Sequence, residues 1–338
     1  DENWGKIDQI TSRQALTAAA NCYPLDTQYS LFGVGVADRP ARDALAMFSA
    51  DRAGLRFYNA PTLDTIPLDG TGPAAVWEQD GTVTAADGTT DLSGVKPCFT
   101  ITCGDEQTAL LEAISSCLTF DNLTTRANPE IVARHNELAL IHHARVTELH
   151  VLGKIKAGGT AVTGPDYSVG AAREYFVQLD GLSSAYRYKY RMGEREPLRV
   201  VAPVWLRDLF RADVAMQMPG DGLESLAIAQ SMIDGWFRAR NINVSWTLDS
   251  VATPPSATTG QFGATVEWDM YAEGTWLYLD GGVLDIGVIR DSTLVGANDY
   301  KTFTEEFMAV AKIGDESLHV NSTVELSGAA AALVDTWS

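Results

Sequence analysis

Four of the chain's five histidines, His135, His142, His143 and His150, fall within residues 128–156, a stretch with helical patterning. Two histidines on a helix share a metal ion when they lie three or four positions apart, on one face and one turn from each other. His135 and His142 are seven positions apart, as are His143 and His150, which separates each pair by about 10 Å along the axis. The adjacent His142 and His143 point about 100° apart. This spacing argues against a shared ion and for packing or hydrogen bonding. Four cysteines, Cys22, Cys98, Cys103 and Cys117, form no C-x-x-C pair and have no histidine nearer than His135. They read as buried free thiols.

Carboxylates are the other candidates. Glu267 and Asp269 share one strand face, with Asp280 and Asp285 nearby, and such a pair is the equipment of a glycosidase. With 44 acidic residues in the chain, pairs of this kind arise by chance. No P-loop, G-x-S-x-G elbow or H-E-x-x-H motif occurs. The G-V-G of LFGVGVAD lacks a third glycine and reads as a turn. Asn122, Asn243 and Asn321 open N-x-S/T triplets, which matter only in a secreted protein. The residues therefore imply no catalytic, metal or cofactor site.

The elements around these residues indicate an α+β chain. Its 338 residues, 46% hydrophobic, can bury a large core, and no run reaches the ~18–20 apolar residues of a membrane span. The clearest signal is a helix over 128–156. Asn128 stands at its N-cap and Pro129 at its first position, while Ile131, Leu138, Ile141, Leu149 and Leu152 repeat at helical spacing. Further helices are expected from Ser12 to Ala20, from Ala41 to Phe48, and over 105–120, 168–191 and 223–240. A strand at 198–205 leads into LRDLFRADVAM. Strands are also expected at INVSWTLD, ATVEWDMY, TWLYLDGG and VLDIGVIRD, with a flexible loop at 253–263. The chain should end in paired strands, or in a short helix and a hairpin.

Residues 54–104 stand apart. GLRFYNA and KPCFTITC read as strands around a span, 57–95, that has no Lys or Arg and carries Asp64, Asp69, Glu78, Asp80, Asp87 and Asp91. So polar a stretch should build no core of its own and should project as a long hairpin. The net charge of −19 disfavours binding to phosphate backbones. It suits solubility, or a wall that must not adhere to enclosed DNA. Of eight tryptophans, Trp205, Trp236, Trp246, Trp268 and Trp276 fall in expected helices and strands. Trp4, Trp77 and Trp337 fall in the arm, the loop and the tail, where aromatics suit interfaces.

Several segments are similar to those of actinobacterial-phage capsid proteins. They are ANCYPLDTQYSLF, RAGLRFYNAP, VKPCFTITC, CLTFDNLTTRANPEIVARHNELALIHH, VVAPVWLRDLFRADVA, WLYLDGGVLDIGVIRDSTL and NDYKTFTEEFMAVAKIGDESLHV. In this order, over nearly the whole chain, they resemble the Hong Kong 97-like fold of tailed-phage capsid proteins. The resemblance implies an N-terminal arm at 1–50, an extended loop at 51–104 and a peripheral domain at 105–194 with its spine helix at 128–156. It further implies an axial domain at 195–290 and a return to the peripheral domain at 291–338. It implies a non-enzymatic subunit without cofactors, forming hexamers and pentamers of an icosahedral shell around double-stranded DNA in a virion assembled in the bacterial cytoplasm. Portal, scaffolding and decoration proteins would be its partners, and Asp1 would be a protease-made terminus. Candidate contacts between subunits are Trp4, Asp64, Asp69, Trp77, Glu78 and Asp80, with Arg52, Arg56, Arg126, Arg134 and Arg145 as basic partners. The loop tip has no Lys and Lys96 sits at its base, so no isopeptide cross-link is expected. The alternatives are an encapsulin-like compartment shell and an acidic secreted glycoside hydrolase.

Overall fold

The computed structural model describes residues 35–50, 52–101, 104–164, 170–217, 227–252 and 265–324. Trp4, Trp337, the Ser12–Ala20 helix and the 253–263 loop lie outside them. Two sheets organise the chain. The first has strand order β1-β11-β12-β6, with β1 Ala46–Ser49, β6 Glu112–Asp121, β11 Trp276–Ile289 and β12 Asp299–Lys312. The second has order β7-β13-β10-β8-β9, with β7 Thr160–Thr163, β8 Leu198–Pro203, β9 Ile242–Thr247, β10 Thr265–Ala272 and β13 Ser317–Thr323. Two further ladders lie in residues 54–110: β2 Gly54–Tyr58 pairs with β5 Glu106–Leu110, and β3 Ala75–Trp77 pairs with β4 Val83–Ala85.

The helices are α1 Pro40–Asp43, α2 Asn122–Ala127, α3 Pro129–Gly158, α4 Ala171–Tyr190, α5 Val204–Gln217, α6 Gln230–Arg238 and α7 Ser292–Ala297. At 30 residues, α3 is a rod of about 45 Å. Pro129 opens it, but Asn128 makes no side-chain cap bond, so the proline's fixed φ is the start signal here. Apart from Val132, its buried residues lie in the second half, from His143 to Ile155, while Ile131, Leu138 and Leu140 near its start are exposed. No described helix is long and apolar enough to cross a membrane.

The five-stranded sheet carries the main core. Leu198, Val200, Ala202, Trp268 and Met270 meet Tyr175 and Phe176 of α4, Phe210 of α5 and Phe237 of α6. Tyr175 is fully buried, with ring centroids of Trp268 and Phe210 at 4.9 and 5.0 Å. The opposite face of that sheet gives Val201 and Tyr271 to a second core with Val151, Leu152 and Ile155 of α3 and Tyr278 and Met308 of the four-stranded sheet. The second half of α3 is thus packed between the two sheets.

Several expectations are corrected. The thiols expected to be buried are exposed at Cys98 and Cys117. Residues 105–120 form β5 and β6 rather than a helix. Ile114, Ser116, Leu118 and Phe120 are half-buried while Ala113, Ser115, Cys117 and Thr119 are exposed, a period of two that the long ladder with β12 imposes. The helix expected over Ala41–Phe48 stops at Asp43, and the chain turns into β1, which runs parallel to Leu277–Asp280. KPCFTITC is not a strand over its described residues 96–101, because β2 takes 106–110 as its partner instead. The 223–240 helix is shorter at its described end, Gln230–Arg238.

TWLYLDGG and VLDIGVIRD are one strand with register shifts. The first shift falls at Gly281-Gly282. A Cβ on Gly281 would lie 2.9 Å from that of Phe307, and Gly282 has φ +92°. The last two strands, β12 and β13, do not pair with each other but enter different sheets. Sheet membership also crosses the expected domain borders: α4 packs on the five-stranded sheet, β11 lies in the four-stranded one, and β13 returns to the five-stranded one.

Candidate assembly surface

The acidic loop is organised by its own aspartates. The Asp69 carboxylate accepts the Thr71 N–H (2.9 Å) and hydroxyl (2.5 Å). Asp80 accepts the Thr82 N–H (2.9 Å), and Asp91 accepts the Ser93 N–H (2.9 Å). Asp87 accepts the N–H groups of Thr89 and Thr90 at 2.8 and 2.9 Å, and the Thr90 hydroxyl as well. These are Asx-type turns, in which the side chain replaces a backbone acceptor. Hydrogen bonds to the charged form hold Asp69 and Asp80 below the ordinary carboxylate value, and the Thr90 hydroxyl with the two amides lowers Asp87 to about 2. The loop also buries Val83 and Ala85 completely. It therefore holds its shape as a set of capped turns around a small apolar centre, contrary to the expectation of a span with no core. The signal was legible: D-G-T recurs at 69–71, 80–82 and 87–89.

Of the other named residues, Asp64, Trp77, Arg56, Arg134 and Arg145 meet partners within the chain. The Thr62 hydroxyl donates to Asp64, which lies 3.5 Å from Lys189 Nζ on α4. Asp64 was expected to face another subunit; in the single chain it meets its own helix. Trp77 is half-exposed with Lys96 Nζ 5.0 Å from its ring, and Glu78 is exposed. Arg56 faces Glu106 across the β2–β5 ladder at 3.7 Å. Arg52 lines an open groove with Phe48, Leu55, Leu277 and Leu279. Arg126 is exposed at the end of α2. Arg134 pairs with Glu137 at 2.6 Å on α3, and Arg145 with Asp249 at 3.0 Å.

The histidines are dispersed. His135 Nδ1 meets the Ile131 carbonyl (2.8 Å), His143 is buried near Glu306, and His150 contacts Glu112. Among the described residues no cluster of three or more His, Cys, Asp or Glu is placed to hold a metal ion. Glu267 and Asp269 do share a face of β10, where Lys156 and His319 engage them. The side chain of Asp285 is not among those described.

Sequence reasoning missed the strongest polar site. Glu306 on β12, 4% exposed, accepts two hydrogen bonds from Arg39 Nη1 (2.8 and 2.6 Å), one from the Tyr278 hydroxyl (2.8 Å) and one from the Thr147 hydroxyl (3.2 Å). Glu148 of α3, fully buried, accepts the Ala41 and Arg42 N–H groups at 2.6 and 3.2 Å. Burial pushes Glu148 up, and the Ala41 and Arg42 amides and the Arg145 charge offset only part of the lost hydration. Burial acts on Glu306 too, but the Tyr278 hydroxyl and the Arg39 and Arg42 charges outweigh it and hold the carboxyl below its usual value. Two buried glutamates thus fasten residues 39–43 to α3 and β12.

Around this frame, apolar side chains are exposed in numbers unusual for a surface that stays in water. Phe48 and Met47 stand on the edge strand β1, Leu138 and Leu140 on α3, and Val283 and Val288 on β11. β1 is an edge with one side of its ladder unpaired among the described residues.

No family model and no curated protein matches the chain. Solved structures do. One from Microbacterium phage Oxtober96 aligns with TM-score 0.58 at 11% identity, covering 92% of this chain and 99% of that one. One from Mycobacterium phage Adephagia aligns with TM-score 0.56 at 14% identity, covering 91% and 98%. The capsid of Myoviridae phage XM1 aligns with TM-score 0.55 at 11% identity, covering 88% and 96%. The likeness lies in backbone arrangement rather than sequence, and it runs the length of both partners. On that agreement the chain has the Hong Kong 97-like fold.

Proposed function

We propose that this chain is the major capsid protein of a tailed bacteriophage, a structural subunit without catalytic role that closes into an icosahedral shell. The observation that carries the reading is the agreement with phage structures, the XM1 capsid among them, over 88–92% of this chain and 96–99% of theirs. The exposed apolar side chains and the edge strand β1 support it. They are costly in an isolated chain and useful in one that lies against copies of itself. Obligate interfaces bury about 2,000 Å² or more, and many such contacts around closed rings add up to a stable surface.

In this reading residues 1–50 are an arm and 51–104 an extended loop laid on a neighbour. The four-stranded sheet with α3 is the peripheral domain, and the five-stranded sheet with α4 to α6 is the axial domain. Hexamers and pentamers would enclose double-stranded DNA without sequence-specific contacts, and the −19 charge would keep the wall from adhering to it. Portal and decoration proteins would join this shell, assembled in the bacterial cytoplasm. The test is expression alone, followed by size-exclusion chromatography and negative-stain microscopy. Closed particles or capsomer rings are expected; a chain that stays monomeric at high concentration would refute the reading.

A further inference from the structure

The contact between α3 and the five-stranded sheet changes character along its length. From Val151 to Ile155 it is apolar, against Val201 and Tyr271. At the end of the helix it becomes ionic. On β10, Trp268 and Met270 point into the main core, so Glu267 and Asp269 point the other way, toward α3. Lys156 Nζ lies 2.5 Å from Glu267 Oε2. His319 on β13, directly opposite Asp269, places Nδ1 at 2.8 Å from Asp269 Oδ1 and Nε2 at 3.4 Å from Glu267 Oε2. Asp269 is only 6% exposed, yet a recess of about 30 Å³, open on one side and bounded by Leu152, Lys156, Glu267, Asp269 and His319, reaches the group. Protons can therefore exchange there without unfolding.

We propose that His319, Asp269, Glu267 and Lys156 form a proton-operated latch between the long helix and the five-stranded sheet, closed when His319 is charged and released when it is neutral. With His319 protonated, two cations face two carboxylates and the cluster is neutral. Loss of that proton leaves two carboxylates sharing Lys156 alone, a net negative charge at a largely buried junction. The charges on the elements packed around the junction have partners of their own: Asp249 meets Arg145, Arg199 meets Glu273, Glu148 accepts the Ala41 and Arg42 amides, and Lys312 donates to the Gly158 carbonyl. β7, which pairs with β13 beside His319, brings no charge. The hydrogen bond to Asp269 raises His319 above its ordinary 6.5, and burial raises Asp269. Both groups therefore hold protons more tightly when the latch is closed. The His319 contribution is full below pH 6.5 and is lost as pH rises through its raised value. The latch belongs to the single chain and stands whether or not the chain assembles.

Two measurements on the intact protein test this. Mass spectrometry of the slow imidazole C2–H exchange gives the pKa of His319 in place; a value above 6.5 is expected, and one at or below 6.5 overturns the proposal. Amide exchange, corrected for its intrinsic pH dependence, is compared at pH 6 and pH 9 in peptides covering the end of α3 and β10. Protection should fall by about tenfold for each unit by which His319 titrates above 6.5, and His319→Gln should abolish the dependence. Equal protection at both pH values in the unmodified chain, or the same dependence in H319Q, would overturn it. Should H319Q fold poorly, Asp269→Asn replaces it, with a fall in the pKa of His319 expected and an unchanged value overturning the proposal.

Discussion

Replacing Glu306 with alanine tests the anchoring of residues 39–43 most directly. The carboxylate accepts hydrogen bonds from Arg39, Tyr278 and Thr147, and lies 3.5 Å from Arg42. Its removal leaves the Arg39 guanidinium and the Tyr278 hydroxyl without their acceptor and takes one of two carboxylates from Arg42, which keeps Asp43 at 3.2 Å. Breaking a buried ion pair from one side costs about 3–5 kcal/mol. The arginine side chains keep 22% and 20% of their exposure and recover some hydration, so the lower end, about 3 kcal/mol, is expected. At 1.4 kcal/mol per decade, the population in which residues 39–43 detach rises by roughly a hundredfold. Tryptic cleavage after Arg42, read by mass spectrometry under native conditions, follows that population when reclosing is fast. Cleavage within about threefold of the unmodified chain would refute the reasoning. The acid side gives a second check with Glu306→Gln. Because the folded value of Glu306 is depressed, its contribution is present above the ordinary 4.5 and is lost as pH falls through the folded value. The difference in unfolding midpoint between E306Q and the unmodified chain should therefore be full at pH 7 and should narrow below pH 4.5.

Trp268→Ala should cost about 3–5 kcal/mol in urea unfolding, because it empties the centre of the Tyr175–Phe210–Phe237 cluster. Asp87→Ala should raise amide exchange at Thr89 and Thr90 while leaving the five-stranded sheet unaffected, since the carboxylate serves only local turns. Charge reversal of Asp64 and Asp69 together should lower particle yield; the Asp64 change also removes one of two carboxylates from Lys189, which keeps Glu316, so monomer stability is measured in parallel. Denaturing gels of assembled particles should show single chains rather than ladders, because Lys96 lies over Trp77 at the loop base.

What the sequence disclosed followed the range of the signal. The long helix, α4 and the turn from β8 into α5 were readable because apolar spacing, Pro129 and Pro203 act within a few residues. Residues 105–120 were misread because their short apolar run fits either period, and the choice is made by β12, whose pairing partner residues lie far along the chain. The same distance hid the site. Arg39 and Glu306 are 267 positions apart, and neither stands in a pattern that marks it. The D-G-T turns were visible and local, yet their aspartates were read as free charge because the hydrogen-bonding partner is a backbone amide, which carries no letter of its own.

The way the strands are shared between the two sheets has a consequence for synthesis. β6 waits for β12, and β7 waits for β13, so the first half of the chain leaves the ribosome with both of its outer strands unmatched. The four-stranded sheet cannot close before β12, residues 299–312, has been made, nor the five-stranded one before β13, residues 317–323. A product of interrupted translation that stops before residue 317 therefore keeps β7 without its partner and cannot complete the five-stranded sheet, by topology alone.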